Sequence, residues 1–562
     1  MYSSGRRILI NKQSAMVRIY CRNNGTSTLF PSGCTLSDIY SNLALDMPYG
    51  AVAAKVNNQV VGLTYRVYNN KDVEFLNITS KDGMRVYVRS LTFVMMKAIA
   101  ELFPGRVVRF ENPISKGYYC RLEDELSRED VDDIKQRMVA TIESDLPFER
   151  VECSTKETIE VFESVGRNDK VRLLETYGSL YASYYKLGDY IDHFYGGLLP
   201  STGYLKVFEI EKFGKGLLLR IPNRETPMSL EDKVPQEKLQ ERFTERLRWQ
   251  QLMGVETIGD FNKAIAAGYG TDLINVAEVL QEKRMSKISD DIYERKSRVV
   301  LIAGPSSSGK TTFSKRITIQ LAACGLRPVA ISLDDYFLNR TDTPRKEDGD
   351  YDFESIYSID LDFFNRQLTQ ILAGEEVELP RYNFQTGERE FRGEKLKLSP
   401  QMVLVIEGTH ALNPMLTEQI PEEEKYRIYV SALTSIKLDY HNYIPTSDNR
   451  LLRRMLRDYK YRGYSAVETI QRWPDVQAGE EKWIFPYQEN ADVMFNSSLL
   501  YEFSVLKWKV EPLLRSVPEK LPEYSEARRL LNLLEYVAPL PDSQLPPTSV
   551  IREFLGGSSF KY

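Results

Sequence analysis

The sequence predicts a multidomain chain in which two α+β domains precede an α/β domain whose parallel sheet is covered by helices. Three observations predict it. From Arg298 onward β-rich and helical segments alternate, a glycine-rich loop joins the first such strand to the first such helix, and residues 16 to about 80 hold short β-rich runs around one helical stretch. Alternating β and α segments imply parallel strands covered by helices. At 562 residues the chain is too long for one core, since domains run to roughly 100–200 residues.

Composition narrows the class. With 42% hydrophobic and 27% charged residues the chain is ordinary globular protein, which excludes wholesale disorder and a fibrous architecture. The net charge of -5 gives no global basic excess, so any anion site must be local. Cys21, Cys34, Cys120, Cys153 and Cys324 are scattered without a CxxC pair, which argues against a disulfide framework or a cysteine zinc site and fits a reducing compartment. His193, His410 and His441 are the only histidines, too few for histidine-rich metal catalysis. No apolar run approaches the ~20 residues of a membrane span, and MYSSGRRILINKQ lacks a long apolar core before a cleavage site, so a cytoplasmic chain without a membrane partner is expected.

In chain order, residues 1–80 form the first domain, with strands expected over 17–22, 51–56, 59–65 and 73–78 and a helix over 36–45. Asn57-Asn58 suits a tight hairpin turn because Asn tolerates positive φ. Residues 81–224 form a second, mixed domain with an apolar helical stretch at 91–103 and a turn at Tyr195-Gly196-Gly197. Over 225–296, QEKLQERFTERLRWQQL and VAEVLQEKRMSKISDDIYERK carry charge at helical spacing, as solvated faces of a helical connector do. The α/β domain occupies 297–525, with the strands RVVLIA, PVAISL and MVLVIE, and the Pro- and Gly-rich end of 526–562 is expected to wrap the surface as a tail.

Gly304-Pro305-Ser306-Ser307-Ser308-Gly309-Lys310-Thr311 matches G-x-x-x-x-G-K-[ST] between a strand and a helical pattern carrying Phe313, Ile317 and Leu321, the context a P-loop requires. Its glycines let the backbone curl so that N–H groups surround phosphate oxygens, and the helix N-terminus adds favourable potential. Lys310 is placed to neutralise β- and γ-phosphates and Thr311 to ligate Mg2+. Ligands of such sheets collect at the strands' carboxyl ends, where Asp334, Asp335 and Glu407 stand as candidates for a general base and a magnesium ligand. Arg450, Arg453, Arg454 and Arg457 follow i, i+3, i+4, i+7, one helix face able to clamp a triphosphate. Arg462-Gly463 follow at a candidate lid, where an arginine can stabilise charge on a transferring phosphoryl group.

Over about 298–515 these residues resemble the uridine kinase and phosphoribulokinase family, through GPSSSGKTT, SLDDYF, DYDFES, LPRYNF, VIEG, LRRMLRDYKYRG and ENADVMF. The resemblance implies a P-loop kinase fold, ATP and Mg2+ as cofactors, and a small hydroxylated substrate. It assigns catalysis to Asp334 as general base with Lys310 and Arg462, and nucleotide binding to residues 304–311 with Thr312 and Arg457. Acceptor binding falls to Asp352, Tyr382 and Arg454, and the metal to Thr311 and Glu407. Where the family's uridine-cytidine kinases place a base-contacting histidine, this chain has Gly387, and Tyr464 replaces a second lid arginine. Base selectivity is therefore expected to be loose.

The first half is similar to the front of threonyl-tRNA synthetase: a TGS-like β-grasp domain, then a domain like the one that edits mischarged tRNA, through LPSTGYLKVFEI and the preceding Asp192-His193-Phe194-Tyr195-Gly196-Gly197-Leu198. The resemblance raises RNA as a partner. It also puts Arg89, Phe93, Phe194 and Leu198 at the places of the editing domain's four zinc ligands; these side chains cannot build a Zn2+ site, so editing chemistry is expected to be absent. The leading expectation is phosphorylation of a nucleoside hydroxyl by ATP. Another sugar or polyol acceptor is the alternative, and an RNA-binding nucleotide switch is the reading from a different class.

Overall fold

The computed structural model describes residues 15–562 except 235, 237, 239–249, 251, 252 and 348, so most of the helix expected over 236–252 lies outside the described residues. The described chain forms two compact units, one of residues 15–160, 179–233 and 517–529, the other of 161–178, 234–516 and 530–562.

In the first unit, Met16–Cys21 pairs in parallel with Lys71–Leu76, and antiparallel neighbours complete a five-stranded sheet in the order Thr26–Pro31, Met16–Cys21, Lys71–Leu76, Ala53–Val56, Gln59–Val61. Alternation buries Val17, Ile19 and Cys21 against Leu36 and Ile39 of the helix Leu36–Leu43, as a half-buried strand requires. Asn57 and Asn58, at φ 49° and 60°, make the expected hairpin turn. Thr26–Pro31 is a strand the sequence reading passed over: it lies at the sheet edge and buries only Phe30, so it shows almost no alternation.

The rest of this unit holds a four-stranded antiparallel sheet, Glu209–Phe213, Gly216–Arg220, Gly117–Arg121, Arg109–Ile114, and a three-stranded one, Glu149–Ser154, Tyr181–Leu187, Tyr190–Asp192. The expected helix at 91–103 is the second half of the longer helix Lys81–Leu102. At the four positions compared with zinc ligands the structure has other contacts. Arg89 Nη2 donates to the Gly197 carbonyl at 3.0 Å, the Phe93 ring meets Phe148, Tyr190 and Phe194 at centroid distances of 5.4–5.7 Å, and Leu198 is buried. Apolar burial with stacked and tilted ring contacts holds this cluster together. His193 is buried, its Nδ1 2.9 Å from the Ser183 carbonyl.

The second unit is built on a five-stranded parallel sheet in the order Arg327–Ser332, Met402–Glu407, Val299–Ala303, Lys425–Ser431, Val493–Asn496. Val299–Ala303 is buried at every residue, the pattern of a strand covered on both faces. Phe313, Ile317 and Leu321 of the helix Lys310–Ala323 and Met285, Ile288 and Ile292 of the helix Gly270–Arg295 pack on it. The charge-rich stretch read as a solvated connector therefore has a core-forming stripe: its apolar residues recur at three- and four-residue intervals beneath the charges. The stretch expected as a surface tail likewise buries Leu530, Leu534, Ile551 and Phe554.

Lys170, on the helix Asn168–Glu175, places Nζ 2.6 Å from Asp439 Oδ1 with both side chains fully buried. Removing one member of such a pair strands the other charge. Lys170→Met is expected to lower the unfolding free energy by ~3–5 kcal/mol, with part of the loss recovered in Lys170→Met/Asp439→Leu, as urea unfolding of the three chains will measure.

Candidate functional site

The P-loop leaves the carboxyl end of Val299–Ala303 and enters the helix Lys310–Ala323. A Cβ at Gly304 would run into the Val430 carbonyl oxygen, so glycine is what lets the loop pass the neighbouring strand. Ser307 at φ 59° and Gly309 at φ 84° complete the curl, a geometry that turns successive N–H groups toward an anion. The buried hydroxyls of Ser307 and Ser308 have no hydrogen-bond partner among the described residues. Lys310 Nζ donates to the Pro305 carbonyl at 3.1 Å, and Thr311 Oγ1 lies 3.4 Å from Glu407 Oε1.

Carboxylates crowd this cation. Burial pushes Glu407 up to about 7, with Asp334 adding to the shift and Lys310 opposing it. Burial also raises Asp334, again against Lys310, and lowers Lys310 itself against Glu407 and Asp334. Asp334 and Asp335, adjacent in sequence, differ in their attachments. Asp335 accepts from the Tyr382 N–H at 3.1 Å and from Arg381 Nη1 at 3.0 Å, which ties it to the hairpin Glu376–Asn383/Glu388–Lys397. The Asp334 carboxylate has no hydrogen bond or ion pair among the described residues.

The four arginines at helical spacing share the helix Thr446–Arg457 but not one role. Arg450 pairs with Glu480 at 2.5 and 2.8 Å and donates to the Ser306 carbonyl at 3.1 Å. Arg453, fully buried, pairs with Glu502 and donates to the Ser307 carbonyl at 3.3 Å. These two brace the P-loop from behind, a correction to the reading of four arginines clamping a triphosphate: a guanidinium this deep needs a carboxylate partner, which spends its charge. Ser306 is held from three sides, its N–H by Glu480 at 2.8 Å and its hydroxyl by Arg454 Nη1 at 2.9 Å. Arg454, Arg457 and Arg462 converge on the buried carboxylate of Asp458 at 3.1–3.3 Å, just before Gly463 turns the chain at φ 71°. Burial and Arg457 pull Arg462 down to about 10. The Arg472 guanidinium stacks 4.2 Å from the ring of Tyr464, the residue standing in for the missing lid arginine.

Phe337 and Phe384 complete a ring cluster around the expected acceptor residue Tyr382, with centroids 5.1–6.5 Å apart. A Cβ at Gly387 would meet Arg340 side-chain atoms at 2.9–3.0 Å, and Arg340 Nη2 donates to the Phe384 carbonyl at 3.0 Å. A guanidinium thus lies against the position where a base-contacting side chain is missing. Asp352 neighbours Glu354, which burial pushes up to about 7 against Arg454 and Lys310. His410 is buried, its Nδ1 without a hydrogen-bond partner among the described residues, and burial and Lys310 pull it down to about 4, so it stays neutral. Sequence reasoning missed Glu354, His410, Asp458 and Glu480. Glu354 and Asp458 lay inside quoted motifs, DYDFES and LRRMLRDYKYRG, without being singled out; His410 and Glu480 lay in none.

Residues 299–500 match the family described as Phosphoribulokinase / Uridine kinase family, so the C-terminal part of the chain carries a P-loop kinase domain of that family. The N-terminal part is similar to threonine–tRNA ligases. It is 31% identical over 192 residues to that of Marinobacter nauticus, covering 34% of this chain and 30% of the relative. It is 30% identical over 192 residues to that of Syntrophotalea carbinolica, covering 33% and 30%. The chain spans under a third of the length of these relatives. Among solved structures, "a Possible Uridine Kinase from Bacillus stearothermophilus" is 18% identical at TM-score 0.27, covering 38% of this chain and 98% of that one. D-glycerate 3-kinase from Cryptococcus neoformans is 14% identical at TM-score 0.20, covering 50% and 90%.

Glu354 gives the site a pH signature. Its folded value of about 7 lies above the ordinary carboxylate value. Between the two, the folded chain holds a proton the unfolded chain has released, so stability falls as pH rises through that window and the cost is complete above it. Glu354→Gln is expected to raise stability at pH 8 by ~1–2 kcal/mol and to leave it unchanged near pH 4. Thermal unfolding of both chains across this range is the measurement.

Proposed function

We propose that the kinase domain transfers the γ-phosphoryl group of ATP to the 5′-hydroxyl of a nucleoside, giving ADP and the monophosphate. The observation that carries this reading is the difference between Asp335, bonded to Arg381 and Tyr382, and Asp334, whose carboxylate has no hydrogen bond or ion pair among the described residues and lies near Lys310. A nucleotide switch has no use for such a group, whereas a phosphoryl transferase needs an acceptor for the hydroxyl proton.

Asp334 takes that proton as the acceptor oxygen bonds to phosphorus and the bond to the ADP oxygen breaks. Burial, by raising its proton affinity, makes it a better base. The P-loop N–H groups and Lys310 bind the phosphates, and Arg457 and Arg462, oriented by Asp458, hold the charge of the transferring group. Thr311 and Glu407 offer the hard oxygen donors that Mg2+ takes, so they would hold the metal, which would neutralise phosphate charge during transfer. Asp352 accepts from ribose hydroxyls, with Tyr382 and Arg454 completing the acceptor side. A sugar or polyol acceptor is the second reading, favoured by Glu354, a second carboxyl beside Asp352 able to take hydroxyl groups. The likeness to threonine–tRNA ligases supports RNA as a partner of the N-terminal part. Five free thiols and the lack of any membrane-crossing helix among the described residues support a cytoplasmic setting.

Asp334→Asn is expected to keep ATP binding and lose at least ~10²-fold in turnover; normal turnover in it together with loss in Asp335→Asn would move the base by one residue. In a panel of nucleosides and sugars with ATP and Mg2+, ribonucleosides with different bases should differ little in kcat/KM, and loss of the 2′-hydroxyl should cost more than a change of base. A pyrimidine preference of ~10²-fold or more would overturn loose selectivity and point to Arg340 as the base contact.

A further inference from the structure

The P-loop helix starts at Lys310 with no side-chain cap on Gly309, and its first intrahelical N–H belongs to Phe313, which donates to the Gly309 carbonyl at 3.0 Å. The N–H groups of Lys310, Thr311 and Thr312 are therefore first-turn donors, the groups a helix offers to an anion. One of them is taken. Glu553 Oε2 accepts from the Thr312 N–H at 3.2 Å and from its hydroxyl at 2.6 Å, and the Tyr562 hydroxyl lies 2.9 Å from the same Thr312 oxygen.

The segment that brings Glu553 is fastened to the nucleotide machinery. Phe554 is fully buried, with the guanidinium of Arg453, which braces the P-loop, 5.2 Å from its ring centroid. The Leu555 carbonyl accepts from Lys460 Nζ at 2.8 Å, within the stretch that carries the lid arginine. A Cβ on Gly309 would lie 2.8 Å from Val550 Cγ2, and Ser549 Oγ is 3.2 Å from the Tyr501 hydroxyl. Glu553 also acts on Lys310, beside Glu407 and Asp334. A carboxylate and a phosphate accept the same kind of hydrogen bond and draw on the same helix potential.

We propose that Glu553 is a resident anion of the nucleotide site, holding the Thr312 donors until a nucleotide phosphate displaces it, so that residues 549–562 and ATP compete for one helix N-terminus. This rests on the ATP-dependent reading above. It makes Glu553 a residue that sets nucleotide affinity and couples site occupancy to release of the segment. A carboxylate that merely shaped the loop for its ligand would have the opposite effect on affinity.

The test is calorimetric titration of ADP and ATP into the full wild-type chain and Glu553→Gln. The neutral isostere competes less, so nucleotide Kd should tighten about tenfold; a Kd unchanged within about twofold, or weaker, overturns the proposal. Hydrogen exchange of the wild-type chain decides independently of the variant's folding. Amides of residues 549–562 should exchange faster at saturating ADP, and unchanged or slower exchange overturns the proposal. A wild-type chain that binds neither nucleotide overturns the ATP reading and this proposal together, whereas normal binding with an unaltered variant overturns this one alone.

Discussion

Two guanidinium groups buried behind the phosphate loop, Arg450 on Glu480 and Arg453 on Glu502, fix the shape on which the kinase site depends. The loop must hold unusual backbone angles at Ser307 and Gly309, and a glycine- and serine-rich stretch has little side-chain packing of its own to enforce them. The arginines do it through the carbonyls of Ser306 and Ser307. Their charge is cancelled by the paired carboxylates, which are as deeply buried as they are. The arrangement yields rigidity where a bare cation would yield nonspecific anion affinity.

In front of the loop the balance is reversed. Glu407, Asp334 and Glu553 all act on Lys310, so the site carries more negative charge than a phosphate-binding site requires by itself. A metal ion and a proton to be taken from the acceptor account for two of those carboxylates in the proposed reaction. The arginine cluster follows a similar economy: Asp458 gathers Arg454, Arg457 and Arg462, so three like charges stay close together. Their mutual repulsion is offset by one buried carboxylate, leaving the cluster net positive.

The hairpin at Gly387 shows how a glycine position is filled from elsewhere in the chain. Gly387 leaves a gap at a hairpin turn, and the Arg340 side chain lies in it, anchored on the Phe384 carbonyl. In the N-terminal unit, Phe93 and Phe194 stand at positions compared with metal ligands and join Phe148 and Tyr190 in a packed ring cluster. In both places contacts among the chain's own residues fill the position.

The phosphate loop, Asp334 and Glu407 were legible in the sequence because each is local: a loop of fixed spacing, or an acidic residue at the end of an apolar run, follows from neighbours a few positions away. Three of the five parallel strands were legible as apolar runs alternating with helices; Lys425–Ser431, which carries Lys425 and Arg427, and Val493–Asn496 were not read as strands. The edge strand Thr26–Pro31 was not, since one buried residue leaves no period to read. Nor could the sequence divide Arg450 and Arg453 from Arg454 and Arg457, which share a helix face and residue type. That was decided by carboxylates 30 and 49 positions away, Glu480 and Glu502, and the state of Thr312 by Glu553, 241 positions away. Spacing along a chain fixes which side of a helix or strand a residue occupies; which charge it meets there is set only when distant segments fold against it, because the cost of burying an ion makes its partner a property of the tertiary structure.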